Sequence, residues 1–201
     1  MLLFAIAVSG LQIRPAVLSN KADAEALCAV RSPTTYVVEQ GSTGFMGQKV
    51  ELSQEEAFER RVSARLGSAI RDGATVLIAT DPAEERQSVI GTVDCVEFKV
   101  GSGRRPFEQK LPRRFLVRNL WVAEERRRQG IARQLMAESE TFALSHGVST
   151  LVLEVLVDNV PALALYEDLG FEELDPPPMP IPRWMRGALL MGKTLGTAGG
   201  S

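Results

Sequence analysis

Apolar and polar positions change period several times along the chain, and each change marks an element. Leu11 to Arg14 (LQIR) alternates and meets Pro15, which predicts a short strand. Asn20 can cap a helix over Ala22–Val30, rich in Ala, Leu and Glu. From Ser32 to Gly47 one proline and three glycines predict loop. Ser53-Gln54-Glu55-Glu56 has capping-box spacing, and apolar residues near helical spacing carry a helix to about Arg71, stopped by Asp72-Gly73. Ala74–Ala79 (ATVLIA) reads as a buried strand and Ser88–Val100 as an alternating one, with Val89, Gly91, Val93 and Cys95 on one side. A basic loop, Gly101–Pro112, leads to a strand at Arg114–Val122. A helix follows at Arg133–His146 with Gly147 as its cap. Then come a strand at Leu151–Val157, a helix at Val160–Leu169 ending at Gly170, a short strand at Phe171–Leu174 and a last strand at Gly187–Thr194. Between the last two, Asp175–Pro182 holds five prolines and cannot be regular.

This order is not a simple alternation of strand and helix, which disfavours a doubly wound sheet. The expected architecture is α/β (α+β): a mixed central sheet of six to seven strands with helices on both faces. The expected organisation is a leader or targeting remnant at residues 1–10, a single domain at 11–195 and a disordered tail at 196–201.

Composition narrows the chemistry. The chain has 201 residues, enough for a sizeable core, with 45% apolar and 24% charged residues. A net charge of −2 gives no global basic field, so nucleic acid is not expected as a partner. Cys28 and Cys95 cannot make a disulfide framework, and His146, the one histidine, excludes any metal site or triad that needs two. No apolar run is long enough for a transmembrane helix. The first 22 residues carry no acid and only Arg14 and Lys21 as charges, which suits an organelle transit remnant. The alternative is a frayed leader before the first strand, so a plastid or a cytoplasmic location stays open.

The segment Leu120–Ala132, LWVAEERRRQGIA, carries the most chemical information. A strand ends at Val122, a polar turn follows, and a helix begins after Gly130. Gly130 lets backbone approach a ligand closely, and small Ala132 leaves the amides unshielded. Unpaired N–H groups and the helix dipole make such a helix start a phosphate or pyrophosphate site. It is neither a P-loop nor a dinucleotide fingerprint. The bland alternative is a solvated charge run, although basic residues before a helix N-terminus oppose its dipole.

Arg127-x-x-Gly130-x-Ala132 after Val122 resembles the Q/R-x-x-G-x-G/A acyl-CoA pyrophosphate motif of the GNAT superfamily of N-acetyltransferases. Downstream, Leu153-Glu154-Val155, then Asn159, Ala162 and Tyr166, then Leu169-Gly170-Phe171, resemble that family's LEV strand end, N-x-x-A-x-x-x-Y helix and L-G-F turn. LQIRPA at the start resembles its first strand. The resemblance spans about Leu11 to Leu195, its specific motifs lie within Leu120–Phe171, and it implies the GNAT fold.

It also implies roles. Acetyl-CoA would be the cosubstrate, with no metal. The strand before the loop would splay from its neighbour, often at a bulge, and free backbone groups at Leu120 and Val122, with Trp121 between, would pair with the pantetheine arm. The loop amides from Arg128 and Gln129 through Gly130, Ile131, Ala132 and Arg133 would hold the pyrophosphate, with Arg127 also binding the cofactor. Asn159 and Ala162 would contact the cofactor. Tyr166 would sit near the sulfur and give the leaving thiolate its proton; its alternative is core packing. The base is open. Some GNAT proteins carry a carboxylate on the strand before the loop, where Arg118 and Asn119 stand here. Glu154 matches a glutamate that acts as base in the ribosomal-protein N-terminal acetyltransferase branch. Its alternatives are a strand carboxylate paired with an arginine and a water chain.

His146 at a helix end reads as structural, the cysteines as core thiols, and the pairs Arg104-Arg105 and Arg113-Arg114 as a solvated face or a contact for the CoA 3′-phosphate or an acidic partner. The proline-rich loop would shape the acceptor mouth. The leading expectation is acetyl transfer to a primary amine, on a protein N-terminus or a lysine of a peptide or protein partner. Other expectations are a small-amine acetyltransferase or a non-catalytic acyl-CoA-binding module on the same scaffold. Plastid GNAT enzymes look similar in N-terminal region and motif style.

Overall fold

The computed structural model describes residues 11–30, 62–63, 66–67, 69–82, 88–98, 113–174 and 187–196. The readings made above for 1–10, for the capping box at Ser53, for the loops at 32–47 and 101–112, for Arg104-Arg105, for 175–182 and for 197–201 lie outside them.

In chain order the elements are β1 (Gln12–Pro15), α1 (Lys21–Val30), β2 (Thr75–Thr80), β3 (Val89–Phe98) and β4 (Arg114–Val122). A 3₁₀ turn (Glu124–Arg126), α2 (Ile131–Ser145), β5 (Thr150–Leu156), α3 (Val160–Asp168), β6 (Glu172–Glu173) and β7 (Ala188–Thr194) follow. The described residues of 62–71 are helical. The strands form a seven-stranded sheet in the order β1-β2-β3-β4-β5-β7-β6. Only β4 and β5 run parallel; every other neighbouring pair is antiparallel.

Helices cover both faces, as expected. On one, Leu27 of α1, Leu66 and Ala69 pack with Val76 and Ile78 of β2. On the other, Leu135 and Met136 of α2 pack with alternate residues of the central strands, among them Val93, Val117 and Leu153. Truncating one such buried leucine to alanine costs about 2–5 kcal/mol.

Local signals set most element ends. Asn20 Oδ1 accepts from Ala22 N at 2.9 Å, capping α1. Gly147 sits at φ 69, and Val148 N returns to Ala143 O at 3.0 Å, closing α2 with a left-handed cap. Gly170 ends α3 in the same way at φ 81, with Phe171 N bonded to Tyr166 O at 2.9 Å. Both cysteines are buried, and burial pushes the Cys95 thiol up to about 11, so it stays protonated. His146 stacks on Phe142 with ring centroids 4.2 Å apart, and its Nδ1 lies 2.8 Å from Phe142 O, a structural placement.

Two expectations need correction. Helix α2 starts at Ile131, two residues before Arg133, because Gly130 itself is the cap. Val89 does not share a face with Gly91, Val93 and Cys95. The β2–β3 register shifts between Ala79 and Thr80, leaving Ile90 as an extra residue, and Val89 falls into the α1-side core.

Candidate active site

Strands β4 and β5 pair over three positions only, Phe115 with Leu151, Leu116 with Val152 and Val117 with Leu153. Beyond them each strand stays bonded to its outer neighbour, β4 to β3 and β5 to β7. The sheet therefore opens into a wedge between Arg118–Val122 and Glu154–Leu156.

The wedge begins at a bulge. Arg118 lies opposite Asp94, but Trp121 lies opposite Thr92, so Asn119 and Leu120 together face the single residue Val93. Asn119 has φ 54, a left-handed conformation that asparagine tolerates better than most residues. Past the bulge, Ala123 N donates to Ile90 O at 2.9 Å. Alternation along an antiparallel ladder then turns the N–H and C=O of Val122 away from β3 and into the wedge. Leu120, two residues earlier, has the same orientation, and Trp121 between them faces β3. The side chains of Leu120 and Val122 pack on the α2-side core.

At the wedge mouth the chain makes the 3₁₀ turn, passes Arg128 at φ 64 and Gly130 at φ 82, and enters α2. No side chain caps α2, and its first internal bond is Gln134 N to Gly130 O at 3.0 Å. The N–H groups of Ile131, Ala132 and Arg133 thus have no partner within the helix and point along its positive end. A Cβ added at Gly130 would meet nothing within 4 Å, so the approach is open. This donor set fits a pyrophosphate. Around it, Arg127 Nε reaches Val122 O at 3.3 Å and Gln129 Nε2 reaches Glu125 O at 3.3 Å, bracing the loop on its own backbone.

Asn159 is the N-cap of α3, its Oδ1 accepting from Ala162 N at 3.3 Å. Tyr166 is buried in the core cluster against which Leu120, Val122 and Ala162 pack, with its ring 5.9 Å from Phe171. Burial raises its phenol pKa, so the hydroxyl holds its proton at neutral pH. Glu154 is the first residue of β5 past the last β4 pair, exposed, and without an ion-pair partner among the described residues. On the same face, Leu190 opposite it and Leu156 two positions on are 40% and 58% exposed.

Asp94, which carries this geometry, went unread in the sequence, and Asn119 and Arg118 were read there only as the places where a carboxylate base is absent. Asp94 is fully buried on β3, and Asn119 Nδ2 donates to its Oδ2 at 2.8 Å. Arg118 forms an ion pair with Asp72 at 2.6 Å, and its Nε lies 3.9 Å from Asp94. Alternation alone marks Asp94 as an outward polar residue; an asparagine in mid-strand was the signal available.

A family model described as Acetyltransferase (GNAT) family matches residues 43–171. Over 55 residues the chain is 44% identical to the [ribosomal protein bS18]-alanine N-acetyltransferase of Escherichia coli (strain K12), an alignment covering 27% of this chain and 37% of that relative. The chain thus spans about a third of the length of the curated relative it matches. The solved ribosomal-protein-alanine N-acetyltransferase from Brucella melitensis is 27% identical with a TM-score of 0.54, over 91% of this chain and 99% of that one. The yncA protein of Salmonella typhimurium, solved with its cofactor acetyl-CoA, shares the fold at 18% identity and a TM-score of 0.55, over 94% and 95% of the two chains. With the wedge, the uncapped helix and a family match over more than half its length, the chain belongs to the GNAT family of acetyltransferases.

Proposed function

We propose that this chain is an N-acetyltransferase that moves acetyl from acetyl-CoA to a primary amine, with the α-amine of a protein N-terminus ahead of a lysine side chain. The observation that carries this reading is the bulged, splayed β4, which aims the Val122 N–H into a cleft whose mouth is the unpaired start of α2. The likeness to two ribosomal-protein-alanine N-acetyltransferases supports the α-amine.

Acetyl-CoA supplies a thioester to be attacked. The amides of Ile131, Ala132 and Arg133 hold its pyrophosphate, and the outward groups of Leu120 and Val122 extend the ladder to its amide-bearing arm. In a ternary complex the amine nitrogen bonds to the acetyl carbon and the carbon–sulfur bond breaks. Val122 N–H donates to the carbonyl oxygen as that oxygen gains charge. Glu154 accepts the proton that the amine loses, and Tyr166 O–H gives one to the departing sulfur.

The test offers acetyl-CoA with two peptide pools, one with free α-amines and no lysine, the other Nα-blocked with lysine. CoA release and mass-spectrometric location of the acetyl group are the readouts. Acetylation of the first pool is expected. Acetylation of the second alone would move the acceptor to lysine, and acetyl-CoA binding without release in either pool would favour a binding module.

A further inference from the structure

We infer that Asp94 is a positioning residue: through Asn119 it holds the β4 bulge that turns the Leu120 and Val122 amides into the wedge. This rests on the proposed acetyl transfer for its kinetic consequence, but not for its structural one.

The register shows what the bulge does. If the pairing of Asp94 with Arg118 continued without an extra residue, Leu120 would fall opposite Thr92 and Val122 opposite Ile90. Those are the places that Trp121 and Ala123 hold in the structure; Ala123 bonds inward to Ile90, and alternation gives Trp121, two residues before it, the same orientation. A one-residue slip exchanges the two sets of backbone groups. Without the bulge, the Leu120 and Val122 N–H groups would point into β3, and the wedge would be offered the Trp121 groups instead, one residue out of place.

A bulge with a non-glycine residue at φ 54 must be held by its surroundings. Asp94 supplies that hold. Its carboxylate is fully buried, one residue from the bulge on the facing strand, and accepts from Asn119 Nδ2 at 2.8 Å. Thr92 Oγ1 adds a longer contact to Asn119 O at 3.4 Å. Arg118 Nε, 3.9 Å from the same carboxylate oxygen, lies beside it, its guanidinium ion-paired with Asp72. A buried carboxylate with such partners favours a single register, since a slip would break its bond to Asn119.

The experiment is amide hydrogen exchange by NMR on the full chain, with turnover and ligand affinity measured beside it. In the parent, Leu120 and Val122 amides exchange fast while Trp121 and Ala123 are protected. In Asp94→Ala the pattern is expected to move by one residue, protecting Leu120 and Val122 instead, and turnover is expected to fall at least about tenfold. Affinity for adenosine 3′-phosphate 5′-diphosphate, which carries the pyrophosphate but no pantetheine arm, is expected to stay within about twofold. Asp94→Asn, which keeps an acceptor oxygen for Asn119, is expected to restore the parent pattern. Should Asp94→Ala fail to fold, Asn119→Gly tests the same contact, because glycine keeps the left-handed backbone and loses only the side-chain donor. An unchanged exchange pattern in the folded variants overturns the inference. A shifted pattern in a chain that acetylates no amine would leave it standing and sink the proposed activity.

Discussion

Arg133 Nη2 lies 2.6 Å from Asp168 Oδ2, joining the first turn of α2 to the last turn of α3. Each charge sits at the wrong end of its own helix dipole, and each is offset by the other. Both side chains are about half exposed or more, at 49% and 64%, so the pair adds little to stability. Its interest is that Arg133 stands where a pyrophosphate would compete with Asp168.

Asp168→Ala is therefore expected to tighten acetyl-CoA binding and Arg133→Gln to weaken it. Each change should be within about fivefold, the range of an exposed ion pair. Calorimetry at low and high salt checks both signs. Equal weakening in both variants would mean that the pair shapes the loop instead.

Gly130 separates strain from charge. Asparagine and aspartate tolerate its left-handed φ about equally, so Gly130→Asn and Gly130→Asp share the backbone cost. Only aspartate places a negative charge at the anion site. Acetyl-CoA affinity is expected to fall by about tenfold more for Asp than for Asn, or about 1.4 kcal/mol. Equal affinities in calorimetry would remove the loop from cofactor binding.

Tyr166→Phe keeps the ring that packs near Phe171 and removes the hydroxyl. Cofactor affinity and thermal stability should hold, while single-turnover rates fall by about 10²–10⁴-fold, the usual worth of a general acid. A rate within about twofold of the parent would leave Tyr166 as packing.

Glu154→Gln removes the proton acceptor at nearly constant shape. If Glu154 is the base, the rate lost at neutral pH should recover as pH rises toward the pKa of an α-amine, about 7.7–8.0. A lysine acceptor, with a pKa of about 10.4, should recover much less over the same range. A pH-independent loss in the rate profile would make Glu154 a substrate-binding residue.

Asp23 sets an acid limit on stability. It is hydrogen-bonded by both terminal nitrogens of Arg14, at 2.8 and 2.6 Å, and by Val17 N at 2.8 Å. The Arg14 contact, more than the Val17 amide, holds its carboxyl below the ordinary value. Its stabilising contribution is thus full above the unfolded pKa of about 3.9 and is lost as pH falls through the lower folded value. Asp23→Asn should cost about 1–2 kcal/mol at pH 7, toward the low end for a charged bond because Arg14 is partly exposed. The gap in thermal unfolding between the two proteins should begin to narrow as pH falls below about 4 and go on narrowing through the lower folded value; a gap that does not change with pH over that fall would contradict the linkage.

The part of the site legible in the sequence was the part made by local chemistry. Gly130 after a basic turn, Asn20 before the first helix and Gly170 before Phe171 each act within a few residues of themselves. The wedge is different in kind. It depends on how β4 counts against β3, and an extra residue in a strand leaves the alternation on either side intact. Asp94 was hidden for a related reason. In a sheet covered on both faces, a polar residue in an alternating strand need not face water, and only the partner strand brings Asn119 to it. Val89 was misplaced by the same kind of slip at Ile90.

The two parts of the sheet, β1 to β4 on one side and β5 to β7 on the other, share a seam of three residue pairs. Helix α2 lies across that seam, packed against β2, β3 and β4 on one side and β5 on the other. The element whose exposed end is the proposed anion cradle is thus also the crossbeam between the two half-sheets. On the proposed function, grip on the pyrophosphate and width of the cleft would both depend on this one helix, so a change that tilts α2 would alter both at once.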